Sequence, residues 1–160
     1  MLHLAQGMPA GSITNRYDTT SRARQSASWL YQRSCMRGWL GKIWATLTRQ
    51  PRHLITLAEA QTSSHVGNRY SAGVQTVPID RIRGSHGRCH DFDSAFYPLQ
   101  HHTKSRWLRV ACARLQGTAL PPVELTQVGM VYFVRDGHHR ISVARALGQT
   151  DIEAEVRVWQ

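Results

Sequence analysis

Four consecutive apolar residues, Val131-Tyr132-Phe133-Val134, run through Arg135 into Asp136-Gly137 and then into H-H-R-I-S-V-A-R-A-L-G. A short β-branched and aromatic run bounded by a turn signal reads as a strand buried on both faces. The residues after Gly137 place Ile141, Ala144 and Leu147 on one side of a helix over 138–147, and Gly148 stops it. A strand that needs cover on both faces and feeds directly into a helix commits the chain to layered α/β packing. The downstream segment agrees. Ile152, Ala154, Val156 and Val158 alternate with Asp151, Glu153, Glu155 and Arg157, the pattern of a half-exposed strand.

Upstream of this pair, V-Q-T-V-P-I-D-R-I-R (74–83) reads as a strand entering a turn at Gly84-Ser85. Thr103 or Ser105 caps a helix reaching Gln116, with Trp107, Leu108, Ala111 and Leu115 on one face. Pro121-Pro122 leads to a strand over 123–127, and Val128-Gly129-Met130 turns it back. The sum is a small mixed-sheet α/β (α+β) domain over 74–160.

The first 73 residues are different. Of twenty Lys and Arg, nine lie in residues 1–70 against two acids, Asp18 and Glu59, whereas residues 71–160 carry eleven against eight. Residues 1–35 are rich in Ser, Thr, Arg, Gln and Gly, with few aliphatics after Leu4, and are expected to be disordered. An Arg- and Ser-rich transit peptide, or a start codon assigned too early with Met36 as the true first residue, would carry the same composition. Residues 36–73 read as a basic helical segment and linker. Trp39, Leu40, Ile43, Trp44 and Leu47 form one helical stripe, Pro51 ends it, a second helix covers 52–60, and 61–73 is polar. Two functions suit that stripe: packing on its own domain, the default, or lying on anionic lipid. Arg37, Lys42, Arg49 and Arg52 form a candidate patch for non-specific DNA, against the plainer alternative of a solvated face.

Three scattered cysteines, without a C-x-x-C pair, exclude a disulfide framework and the usual zinc modules. No apolar run is long enough to span a bilayer and no secretory signal opens the chain, so a cytoplasmic location is expected. Lys and Arg outnumber Asp and Glu by ten, which favours polyanionic partners.

The chemistry concentrates at Asp136-Gly137-His138-His139-Arg140. The first turn of a helix offers unpaired N–H groups and the positive end of the helix dipole, Gly137 admits close approach, and Arg140 supplies a forked cation. The alternative is structural, with Asp136 a plain N-cap and the two histidines exposed behind it. The D-G-H-H-R string, its small-residue helix and final strand, the opening V-P-I-D-R-I and the helix before L-P-P-V-E-L resemble the ParB/sulfiredoxin superfamily over roughly residues 74–159.

That resemblance implies a nucleotide site at the junction. ParB-type proteins carry G-E-R-R there and bind CTP, sulfiredoxins carry G-C-H-R and bind ATP, and related free-serine kinases use a D-G-H-H-R-like version for phosphoryl transfer. Gly137 and Arg140 match the shared positions and His139 the sulfiredoxin histidine; these three are the implied phosphate ligands, with Arg88 from the loop after the first strand as a further candidate. Asp136 and His138 are the implied catalytic candidates. His138 stands where the sulfiredoxin nucleophile would be, so sulfinic-acid reduction is not expected. The implied cofactor is CTP, ATP or ADP, with or without Mg2+. A resident metal is not expected, because His86, Cys89, His90, Asp91 and Asp93 match no standard zinc spacing. An Asp-ordered loop anchored by Phe92, Phe96 and Tyr97 fits that segment better. The preferred function is a ParB-like domain that binds a nucleotide or phosphate ester, in DNA-associated work. The rivals are a small-molecule kinase or nucleotidase and a metal-dependent nuclease.

Overall fold

A computed structural model of the protein describes residues 11–48, 54–62 and 68–160. The chain order is α1 (Gly11–Thr48), β1 (Ile55–Thr56), α2 (Leu57–Thr62), β2 (Arg69–Pro78), β3 (Ile82–Ser85), α3 (Lys104–Leu115), β4 (Val123–Val128), β5 (Val131–Asp136), α4 (His138–Ala146) and β6 (Asp151–Trp159). The strands form one mixed sheet in the order β1-β3-β5-β4-β6-β2. β5 is central, parallel to β3 on one side and antiparallel to β4 on the other. β4 runs parallel to β6, and β6 pairs antiparallel with the long edge strand β2. The architecture is the mixed α/β fold that the periodicities imply.

Alternation along β5 sends its side chains to two cores. Tyr132 and Val134 join Ile82, Val123, Leu125, Val156 and Val158 beneath α1, α3 and α4. Phe133 points to the other face, where it packs with Val128 and with Leu57 of α2. The buried strand read from V-Y-F-V is thus covered twice, as its lack of alternation requires. The helical layer is pinned by Trp107 of α3, fully buried, whose indole N–H donates to Ser142 Oγ of α4 at 2.8 Å.

Five local expectations fail for identifiable reasons. Residues 11–48 form one helix, so the part of the 1–35 segment that is described is not disordered. Ala23, Ala27, Tyr31 and Ser34 are buried against the domain, and the Tyr31 ring meets Trp107 edge-on at 5.4 Å. Most of the inner-face residues are small, so no hydrophobic period announced the helix. Gly38 continues that face, because a Cβ there would come within 3.2 Å of Tyr97 Cβ.

Gly84 and Ser85 belong to β3 and form no turn. A Cβ on Gly84 would run into the Phe133 ring and the Ile55 carbonyl, so glycine serves close packing between sheet and ring. The helix expected over 52–60 begins at Leu57, because Thr56 and Glu59 cap it reciprocally. Glu59 N–H donates to Thr56 Oγ1 at 3.2 Å, and Thr56 N–H to Glu59 Oε2 at 2.8 Å. The linker expected through residue 73 ends earlier, since β2 begins at Arg69. Arg49 and Arg52 lie outside the described residues. Thr103 does precede α3, but its hydroxyl donates back to Gln100 O at 2.6 Å instead of capping the helix.

Candidate functional site

The strand-to-helix junction is set by Gly137. Its φ of +104° lies in the left-handed half of backbone space, and a Cβ there would sit 2.5 Å from Val123 Cγ1. The glycine lets β5 turn into α4 while pressed against β4. The first helical hydrogen bond is Ile141 N–H to Gly137 O at 3.0 Å. The amides of His138, His139 and Arg140 precede it, no side chain caps them, and the first turn holds no acid. The positive end of the α4 dipole therefore has no carboxylate partner in its own turn.

Asp136 is not the N-cap. Its carboxylate accepts from Arg140 Nη2 at 2.6 Å, while Arg140 Nη1 donates to the carbonyls of Pro121 (2.5 Å) and Pro122 (2.7 Å). Three of the five guanidinium N–H groups are committed, and the side chain is 15% exposed. Arg140 is foremost a clamp between the start of α4 and the loop leading into β4. It retains at most two donors for a ligand.

His138 and His139, expected as exposed polar residues in the structural alternative, are both buried. The Phe92 ring stacks on His138 at 6.0 Å and meets His139 edge-on at 5.3 Å. Ser85 Oγ lies 2.7 Å from His138 Nε2 and also accepts the amides of Gly87 (3.2 Å) and Arg88 (3.1 Å). Both lone pairs of Ser85 are used by those amides, so its proton goes to His138 Nε2 and the imidazole carries its own proton on Nδ1. His139 Nδ1 is buried without a hydrogen-bond partner among the described residues. Burial, and then the nearby Arg88, push His138 down to about 4. Burial, then Arg106 and Arg88, push His139 down to about 4 as well. Both rings are neutral at pH 7. His138 is thereby a poor general acid at neutral pH, tied to Ser85 and 6% exposed.

The loop after β3 closes over the pair. Asp93 Oδ1 accepts the amides of Ala95 (2.9 Å) and Tyr97 (2.8 Å), and Phe92 and Phe96 are fully buried. This is the Asp-ordered, Phe-anchored loop that the sequence suggests. Arg88 on its near side is half-exposed and stands 3.6 Å from Asp91, which His102 approaches at 3.2 Å. Among the described residues, no three His, Cys, Asp or Glu side chains converge as a cation site.

The structure thus brings Asp136, Gly137, His138, His139, Arg140 and Arg88 into one region, while Arg37 and Lys42 lie elsewhere, on α1. Sequence reasoning missed Ser85, which its placement in a turn obscured. Arg106, with Lys104 and Arg109 at the start of the helix over 103–116, reads from sequence as a DNA or phosphate patch against the default of a solvated face. A cavity of about 370 Å³ beside Arg140 is lined by Arg114, Pro121, Pro122, Arg140, Asp151 and Glu153 among others. Asp151 and Glu153 offset its two guanidinium groups, whereas Arg106 adds a cation near the Arg88 face.

No protein-family model matches the chain, and no curated protein does. Among solved structures, the chain is similar to the crystal structure of sulfiredoxin from Arabidopsis thaliana, with 18% identity and a TM-score of 0.37 over 52% of this chain and 82% of that one. That likeness is one of chain path alone.

Proposed function

We propose that the protein binds a nucleotide or phosphate ester at the junction between β5 and α4. The observation that carries this reading is the uncapped start of α4. The amides of His138, His139 and Arg140 have neither a capping side chain nor a first-turn acid, and Arg88 and Arg106 lie near enough to act on the His139 ring. Fixed dipoles and guanidinium groups together suit a phosphate dianion better than a neutral ligand. Asp91 and Asp136 offset Arg88 and Arg140, and Arg106 leaves the site with a net positive charge. The resemblance of D-G-H-H-R to superfamily nucleotide motifs supports the same placement, with CTP, ATP or ADP as the ligand.

Binding is favoured over turnover. His138 is buried and committed to Ser85, and Asp136 is committed to Arg140, so neither expected catalytic side chain is disposed to move a proton. A thermal-shift screen of ATP, ADP, CTP, GTP and inorganic pyrophosphate, each with and without Mg2+, tests the reading. A ligand at a hundred times its Kd stabilises the native state by about 2.7 kcal/mol, which raises the midpoint measurably. A saturable rise that shrinks in Arg88→Ala supports the site. No rise with any phosphate compound overturns it.

A further inference from the structure

The stripe Trp39, Leu40, Ile43, Trp44 and Leu47, expected to pack on the domain, is exposed together with Met36. These residues are between 48% and 79% exposed. The face of α1 that docks on the domain is a different one, Ala23, Ala27, Tyr31, Ser34, Gly38 and Gly41, at helical intervals of three and four. Met36 lies two residues from both Ser34 and Gly38, which at about 100° per residue turns it some 200° away from the docked face. Leu40, Ile43 and Leu47 follow it at four, three and four residues. The helix is thus apolar on the side turned away from its own protein, over about 16 Å. A contiguous outward patch of this kind marks an interaction surface.

We infer that this outer face of α1 lies on an anionic phospholipid surface, in the plane of the bilayer interface. The charge pattern selects the occupant. Between Asp18 and Glu59 the sequence has no acidic residue, while Arg33, Arg37 and Lys42 flank the stripe. Arg33 lies over the ring of Trp29 at 5.3 Å, one heptad before Met36. A second copy of the chain would bring these cations against their equivalents with no counter-charge. Duplex DNA would take the cations and leave Met36, Leu40, Ile43 and Leu47 in water. A bilayer interface accommodates both: aliphatic side chains among the acyl chains, tryptophan at headgroup depth, and Arg and Lys at the phosphates. No described helix is long and apolar enough to cross a membrane, consistent with a helix that lies flat. The docked inner face keeps the α/β domain, with the start of α4, on the solvent side.

The test is co-sedimentation of the full chain with phosphatidylcholine vesicles that contain or lack phosphatidylglycerol, with quenching of tryptophan by brominated acyl chains. The expected result is binding to the phosphatidylglycerol vesicles, quenching of tryptophan emission, and release at high salt. Leu40→Glu combined with Leu47→Glu should weaken partitioning at least about tenfold. Arg37→Glu with Lys42→Glu should abolish the preference for phosphatidylglycerol. Leu40 and Leu47 face away from the docked side, Arg37 and Lys42 are exposed at the flanks of the stripe, and an unchanged thermal midpoint certifies the fold of each variant. The inference is overturned by the absence of vesicle binding or by equal binding of the Leu40→Glu, Leu47→Glu variant. It is equally overturned if the wild type forms a dimer that this variant dissolves, or if duplex DNA is bound while vesicles are not.

Discussion

Acidification should unfold this protein through two histidines. His138 and His139 are each 6% exposed and are pushed from 6.5 to about 4 by burial and by the guanidinium groups beside them. The unfolded chain binds their protons near pH 6.5 and the folded chain only near pH 4. Above 6.5 both states are neutral at these positions and the stability is undiminished. As pH falls from 6.5 towards 4 the unfolded state takes up protons that the native state refuses, and stability is lost. At 1.36 kcal/mol per pKa unit, each histidine accounts for about 3 kcal/mol at full loss. Both are close to a whole domain's net stability of about 5–15 kcal/mol when summed. The assay is urea denaturation from pH 7.5 to 4.5, with a slope peaking at about 2.4 kcal/mol per pH unit near pH 5.2 if both histidines contribute in full. His139→Phe separates this cause from carboxylate titration. Nδ1 of His139 has no partner to lose, so the variant should hold its stability at pH 7 and show roughly half the slope. A wild-type profile that is flat between pH 6.5 and 4.5, or an unaltered slope in His139→Phe, would refute the reasoning.

Gly137→Ala combines an unfavourable backbone region with a Cβ 2.5 Å from Val123, and should cost about 2–4 kcal/mol in chemical denaturation; a change below about 0.5 kcal/mol would mean that the junction relaxes freely. Deleting residues 1–35 removes Ala27 and Tyr31 from the core and should lower stability by at least about 3 kcal/mol, read from the thermal midpoint, and an unchanged midpoint would show that this part of α1 contributes nothing. Arg140→Ala frees Asp136 and the Pro121 and Pro122 carbonyls, so it should destabilise the fold by about 1–3 kcal/mol as well as weaken phosphate binding; a loss of binding with stability intact would return Arg140 to the role of a dedicated phosphate ligand.

The sheet was legible where periodicity spoke plainly. Val131–Val134 without alternation and Ile152–Val158 with it correspond to a doubly covered central strand and a strand covered on one face. The helix over 11–48 was legible only from Met36 onward; the part before it was not, because the docked face is built from Ala, Ser and Gly with Tyr31 as the one large buried residue. Residues of that size give no hydrophobic period. The one clear period on α1 belongs to the outward face, so a stripe that normally signals core was assigned to the interior. Gly84 misled for a related reason. Its composition signal is the same whether a glycine bends a chain or admits a ring, and only Phe133 shows which applies. At the junction, the cluster from Asp136 to Arg140 was found from its residue types. Its wiring was not. That Asp136 holds Arg140, and that Ser85 holds His138 across 53 residues of chain, depends on the closure of the Phe92 loop, which has no local sequence signature.

The central claim is that the free amides at the start of α4 receive a phosphate. Titration of the 15N-labelled protein with ATP and with CTP at pH 7.5 tests this directly, read at the backbone amides of His138, His139 and Arg140. These three resonances should move saturably and together, with the Arg88 and Arg106 side-chain signals following the same isotherm. Shifts confined to other parts of the chain, or no shift at millimolar nucleotide, would contradict the claim.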